Sequence, residues 1–211
     1  MTAPAAALLV ASAVAAIVDW VAVARRRAPL EYVAKPLTLA LLVAAALALD
    51  PEDPTVRAWF VAALVLSLAG DVFLMLPRDL FVPGLGAFLL AHVAYVVGLT
   101  AAGLTGAGLL AGLVLAAALL AAIGRRLVTG LRGREPALAV PVVAYMVVIS
   151  AMLVCAWGTG DPAAAAGALL FYASDGLIGW RRFVAERTAG LDVAIIVTYH
   201  LGQALLVLSL V

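Results

Sequence analysis

Two acids lie inside stretches that otherwise read as membrane spans. Asp71 falls in Ser67-Leu68-Ala69-Gly70-Asp71-Val72-Phe73-Leu74-Met75-Leu76, and Asp175 in Phe171-Tyr172-Ala173-Ser174-Asp175-Gly176-Leu177. An ionised carboxylate in hydrocarbon is costly, so such a residue faces a bundle interior, where it either does chemistry or serves structurally, bonded to a neighbouring helix's hydroxyl or indole. In both stretches a hydroxyl or aromatic side chain, Ser67 or Phe171, stands four residues before the acid, on the same helical face. Two carboxyls sharing one apolar site separate into a neutral acid and a charged base. That division suits acid–base hydrolysis, and it equally suits a proton-coupled carrier.

Other polar residues in apolar runs are candidates to surround the acids, and each has a structural alternative. His92 is either a site group or a neutral imidazole bonding between helices. Tyr95, Tyr145, Tyr172 and Tyr199 are either site hydroxyls or packing aromatics with a satisfied O–H. His200 and Gln203, three residues apart, share a face and suit interhelical hydrogen bonding. Lys35, before Pro36, is either a cation for a phosphate or an acid, or a snorkelling anchor at a helix start. Asp19, beside Trp20, is an open candidate for the site, whereas Asp192 reads as a helix-start charge. His92, His200 and two Asp show no local spacing such as His-x-x-x-His, so no metal site is expected. Gly-x-Ser-x-Gly and phosphate-loop patterns are also missing.

The elements that must hold these residues are transmembrane helices. Of 211 residues, 67% are hydrophobic and 12% charged, against about a quarter charged in soluble domains. A net charge of +1 without a basic stripe gives no reason to expect a nucleic-acid partner. The lone Cys155 rules out an internal disulfide. With about 20 apolar residues per span, eight spans are expected, at 4–24, 35–49, 56–76, 81–102, 104–123, 137–158, 162–183 and 191–210. The fold class is thus all-α, polytopic, in a single transmembrane domain covering 1–211. Arg125 to Glu135 reads as the longest loop, and Gly103, Gly106 and Gly108 mark the fourth turn. The first span lacks a basic segment before it, so it reads as an uncleaved helix despite Ala11-Ser12-Ala13.

Loop charge orients the bundle. Twelve of 13 basic residues fall on odd-numbered connections: Arg25, Arg26, Arg27, Lys35, Arg78, Arg125, Arg126, Arg132, Arg134, Arg181, Arg182 and Arg187. Only Arg57 falls on an even one. Odd loops are therefore expected in the cytoplasm and both termini outside. Asp71, Asp175, Lys35, Tyr145 and His200 then lie toward the cytoplasmic side, with His92 and Tyr95 nearer the middle, around a cavity opening to the cytoplasm. Pro36 and Pro141, Asp71 and Asp175, and Tyr95 and Tyr199 recur at offsets of 105, 104 and 104 residues. A parallel repeat of four plus four helices would produce that spacing.

The ordered series Lys35-Pro36-Leu37, Ser67-x-x-Gly70-Asp71-x-x-Leu74-Met75, Gly84-x-Gly86-x-Phe88-x-x-x-His92-x-x-Tyr95, Tyr145, Gly167-Ala168-x-x-Phe171-x-x-Ser174-Asp175 and Thr198-Tyr199-x-x-x-Gln203 resembles the lysoplasmalogenase (YhhN-like) family of integral membrane enzymes. The resemblance implies an eight-helix hydrolase that cleaves the vinyl ether bond of lysoplasmalogens. It implies a lysophospholipid substrate among membrane lipids, with a fatty aldehyde and glycerophosphocholine or glycerophosphoethanolamine as products. It maps the catalytic pair onto Asp71 and Asp175, with Lys35, Ser67, His92, Tyr95, Tyr145, Tyr172, Ser174, Tyr199 and Gln203 around the substrate. No cofactor is expected, and the sequence carries no signal for oligomeric state. High alanine and arginine content points to a GC-rich bacterial genome, hence to the bacterial inner membrane.

The competing class is a proton-coupled carrier or lipid-binding protein using the same acids. Carriers break helices at the midplane, whereas the prolines here read as clustering near helix starts, which favours the enzyme. The orientation is directly testable. A reporter active only in the cytoplasm, fused after Val211, is expected to stay silent, and strong activity would move the site to the other leaflet.

Overall fold

The computed structural model describes residues 1–185 and 188–211. Arg187, counted above on the last connection, lies outside the described residues. The described chain is helical without strands: α1 (Ala3–Ala24), α2 (Ala28–Ala48), α3 (Pro54–Met75), α4 (Phe81–Ala101), α5 (Gly106–Leu119), a π turn (Leu120–Gly124), α6 (Arg125–Arg134), a short 3-10 turn (Pro136–Leu138), α7 (Ala139–Gly158), α8 (Pro162–Phe183) and α9 (Ala189–Leu208). Because α5, the π turn and α6 run on as one rod, the described residues contain eight helical segments long and apolar enough to cross a membrane. The protein is a polytopic integral membrane protein.

Two expectations are corrected. Arg125 to Glu135 is not a loop, since residues 125–134 form α6. The arginines there had read as a connection. However, Leu127 and Leu131, four apart, are buried on one face, and Leu131 joins Phe81, Val142 and Phe183 in a small core. Lys35 does not open its helix either. α2 begins at Ala28 with Pro29 in its first turn, and Lys35 and Pro36 lie inside it. The prolines therefore do not all sit at helix starts.

Helix starts explain much of the remaining pattern. Asp53 and Asp161 each precede a proline, and their carboxylates accept from Thr55 N–H and Ala164 N–H, both at 2.7 Å. Thr105 Oγ1 caps α5 after Gly103, whose φ of +94° only glycine adopts without strain. Within the bundle the usual globular pattern is inverted. α1 buries Ala5, Ser12, Ala15, Ala16 and Asp19, and turns Val10, Val14, Ile17 and Val21 outward. In lipid, large apolar groups gain nothing by leaving the surface, so small residues line the helix contacts.

α1 pairs with α2, α3 with α4 and α8 with α9, while α9 also touches α1, α2 and α3. α4 closes the ring against α7, and α5 packs on α7. At the end carrying the odd connections, Arg182 joins Asp79 (3.0 Å) and Glu135 (2.8 Å) and lies 4.2 Å from the centre of the Phe81 ring. Hydrogen bonds from Arg182 hold the Asp79 carboxyl below its ordinary range.

The α8–α9 crossing brings two backbones into direct contact. A Cβ at Gly202 would stand 2.9 Å from both Gly167 O and Phe171 N, and a Cβ at Gly167 would stand 2.9 Å from Gly202 O. Backbone is what each would strike, so the helices would have to separate. Gly202→Ala is expected to cost about 1–3 kcal/mol, read as a lowered Tm in detergent. Gly86→Ala meets open space and should leave Tm unchanged or slightly raised. Equal Tm values for the two variants would mean that the crossing does not hold the bundle together.

Candidate active site

The close α8–α9 crossing sets the register between Ser174 and Asp175 on one helix and Tyr199, His200 and Gln203 on the other. Ser174 Oγ donates to Ile195 O at 3.0 Å and ties the pair together one turn above Tyr199. Tyr199 then reaches α3, where its hydroxyl donates to Asp71 Oδ2 at 2.7 Å. Asp175 accepts a hydrogen bond from the Tyr145 hydroxyl of α7. Each acid therefore has a phenol from another helix. A hydrogen bond to a charged group is worth about 1.5–3 kcal/mol when it holds.

His92 of α4 is fully buried, with its Nε2 3.6 Å from Asp175 Oδ2. That is just beyond hydrogen-bond reach. Its ring is fixed edge-on to Tyr145 at 5.2 Å and against Phe171 at 4.7 Å between centroids. A small approach of the imidazole would join it to the Asp175–Tyr145 pair.

Two cavities meet at Asp175, and Asp71 lines one of them. The smaller, about 140 Å³, is lined by Lys35, Asp71, Ser174, Asp175, Tyr199 and Arg181 among others. The larger, about 710 Å³, is almost entirely apolar and runs between α4, α5, α7 and α8, with Tyr145, Tyr172 and Asp175 in its walls. Leu74, Phe88, Asp175 and Ile178 belong to both linings, so Asp175 stands at the junction.

Of the residues singled out in the sequence, the structure thus gathers Asp71, Asp175, Lys35, Ser174 and Tyr199 around the small cavity, and Tyr145 and Tyr172 along the large one. It does not bring Ser67, His92, Tyr95 or Gln203 to either wall. Tyr95 donates to Gln203 Oε1 at 2.5 Å behind the site and packs edge-on to Phe60. Ser67 is buried, with no hydrogen-bond partner among the described residues. Asp19 lies away from the cavities, 4.0 Å from His200 Nε2, while Trp20 Nε1 donates to His200 Nδ1 at 3.2 Å.

Sequence reasoning missed Glu31 and Arg181, which line the small cavity. Asp192 does stand in the first turn of α9, as its reading as a helix-start charge expects, and it also lines that cavity. Arg181 had counted only toward topology, yet Ser174, Ile178 and Arg181 fall at helical spacing on one face of α8. That spacing was the available signal. Among the described residues, no three His, Cys, Asp or Glu side chains form a metal-binding group.

Fold and site together define a polytopic helical membrane protein with a pair of tyrosine-bound carboxyls set between a polar and an apolar chamber. The chain belongs to the YhhN family, whose model matches residues 30–210. It is 38% identical over 147 residues to the human lysoplasmalogenase TMEM86B, a match covering 70% of this chain and 61% of that protein. It is 37% identical over 158 residues to the lysoplasmalogenase of Mycobacterium tuberculosis, covering 72% of this chain and 60% of the relative. The chain thus spans about three fifths of the length of the relatives it matches. No solved structure matches it significantly.

Proposed function

We propose that the protein is a membrane hydrolase that cleaves the vinyl ether bond of lysoplasmalogens through Asp71 and Asp175. The observation that carries this reading is the meeting of the two chambers at Asp175. A single-chain ether lipid has an apolar chain, a reactive vinyl ether next to it, and a glycerol beyond. With the chain in the 710 Å³ apolar cavity and the glycerol in the 140 Å³ polar one, the vinyl ether falls beside the acids. The lysoplasmalogenase relatives support the same substrate class.

A vinyl ether hydrolyses by protonation at its β carbon. A neutral Asp carboxyl transfers its proton there, the C=C electron pair forms the new C–H bond, and an oxocarbenium ion results. The second, ionised Asp faces that cation and accepts a proton from the water that adds to it. The hemiacetal so formed breaks its C–O bond, with a proton passing to the leaving oxygen. A fatty aldehyde and a glycerol hydroxyl result, and one water is consumed overall. Tyr145 and Tyr199 orient the two carboxyls through their hydrogen bonds, and His92 packs behind Asp175.

The loop charges support cytoplasmic odd connections and external termini. The composition supports a bacterial inner membrane, with the small chamber toward the cytoplasm. A proton-coupled carrier is the second reading. Its one favouring observation is the π turn at Leu120–Gly124, where a spanning rod changes its hydrogen-bond register beside the apolar cavity.

Asp→Asn keeps the shape and removes the ionisable proton. General acid–base groups contribute about 10² to 10⁴ in rate, so Asp71→Asn and Asp175→Asn are each expected to abolish measurable aldehyde release from lysoplasmenyl lipid while still binding it. Asp19→Asn, outside both cavities, should be milder. Retention of more than about a tenth of wild-type turnover by either single variant would remove that Asp from acid–base duty. A wild-type protein that releases no aldehyde, but moves lipid in a proton-dependent way, would favour the carrier.

A further inference from the structure

The small cavity carries a charge arrangement that the hydrolytic step does not use. Glu31 and Lys35 of α2, Arg181 of α8 and Asp192 of α9 all belong to its wall. They lie at the end of the bundle where α8 finishes and α9 begins. Lys35 Nζ meets Glu31 Oε1 at 2.7 Å, and Arg181 Nη1 meets Asp192 Oδ1 at 2.6 Å. An ammonium has three N–H donors and a guanidinium five, so each cation keeps donors beyond those its carboxylate takes. Their side chains are only 15% and 31% exposed, and both border one cavity of about 140 Å³, so an anion entering it meets donors from two helices.

The neighbouring arginine shows the contrast. Arg182 divides its guanidinium between Asp79 and Glu135 and belongs to neither cavity wall. It braces connections, whereas Arg181, one residue earlier and so turned about 100° around the helix, faces the chamber.

We propose that Lys35 and Arg181 form a subsite for the phosphodiester of a lipid headgroup, and that Glu31 receives the headgroup's amine. The assignment rests on the lysolipid reading of the site and says which side chains meet the headgroup. Guanidinium and ammonium donors take phosphate oxygens through charge-assisted hydrogen bonds. Glu31, with a side chain 23% exposed, has its Oε1 on Lys35 and leaves its other oxygen for a cation. The order along the ligand follows the order of the chambers: chain in the apolar cavity, ether at the carboxyls, phosphate at the two cations.

Binding probes without a vinyl ether test this independently of turnover. They are a saturated 1-O-alkyl glycerophosphocholine, the matching 1-O-alkyl glycerol 3-phosphate, the matching 1-O-alkylglycerol, and inorganic phosphate. Each is titrated against the full-length protein in detergent. The alkyl glycerophosphocholine is expected to bind wild type more tightly than the alkylglycerol. Lys35→Met and Arg181→Gln should each weaken both phosphate-bearing lipids about tenfold or more, roughly one charge-assisted contact, while alkylglycerol affinity stays within about twofold. Glu31→Gln should weaken only the glycerophosphocholine lipid. Because Arg181→Gln removes an ion-pair partner of Asp192, Arg181→Gln with Asp192→Asn is measured beside it and should show the same selective loss.

Equal losses for all three lipids, or none, would overturn the subsite, as would an alkylglycerol that binds wild type as well as the phospholipid. Inorganic phosphate displacing the lipid at comparable concentration would make it an ion site rather than a headgroup site. An unchanged glycerophosphocholine affinity in Glu31→Gln would overturn the amine assignment. Selective binding in a protein that releases no aldehyde would sink the hydrolase reading and leave the subsite standing. Aldehyde release without selective binding would do the reverse.

Discussion

A carboxyl group in hydrocarbon is costly without a hydrogen-bond donor and a polar space beside it, and the bundle is arranged to give Asp71 and Asp175 each of these. The bond from Tyr199 to Asp71 joins α9 to α3, and the bond from Tyr145 to Asp175 joins α7 to α8. The first of these holds two helices far apart in the chain at one depth. Removing either phenol would strand a buried polar group at a cost comparable to the whole bond. These contacts demand exact helix placement, which the glycine crossing of α8 and α9 supplies by letting two backbones approach as side chains would forbid.

From that placement the two chambers follow. α5 and α7 stand off from α8 enough to leave an apolar space walled by side chains such as Leu119, Ile123, Met146 and Ile149. α2, α3 and α9 close around the polar one. The aromatic cluster of Phe88, His92, Phe171 and Tyr199, with edge-on and tilted contacts between 4.7 and 6.1 Å, fills the region behind the acids. Tyr95 and Gln203 line neither chamber. Their bond instead ties α4 to α9, which is how intramembrane polar pairs usually serve a bundle.

A second buried polar group lies on the opposite side of Tyr199. Asp19 and His200 face one another at 4.0 Å with Trp20 on the imidazole's other nitrogen, and His200 also lies 5.4 Å from the Tyr199 ring. α1 is thus fastened to α9 by polar contacts, although its outer face is made of valine and isoleucine. The same helix that Asp71 depends on is therefore gripped from both sides.

Composition and charge alone determined that the chain crosses a membrane eight times, because hydropathy and the length of a span leave little choice, and the rarity of an intramembrane Asp marked Asp71 and Asp175 without any alignment. The family resemblance put Ser174 and Tyr199 around the substrate with those acids. What lay beyond the sequence was rotation about each helix axis. A polar residue at the right depth can face the chamber, as Tyr199 does, or a neighbouring helix, as Tyr95 does, and only the packing of all the helices decides which. For the same reason Arg181 and Arg182, adjacent and identical in type, had counted alike toward topology, yet one lines the polar cavity and the other braces the connections. Arg125 to Glu135 read as a loop because its charge was visible and its partner, the buried face of Leu127 and Leu131 against the end of α8, was not. Depth is set by the bilayer and is written along the chain. Facing is set by contacts between residues tens to more than a hundred positions apart, and those exist only in the folded bundle.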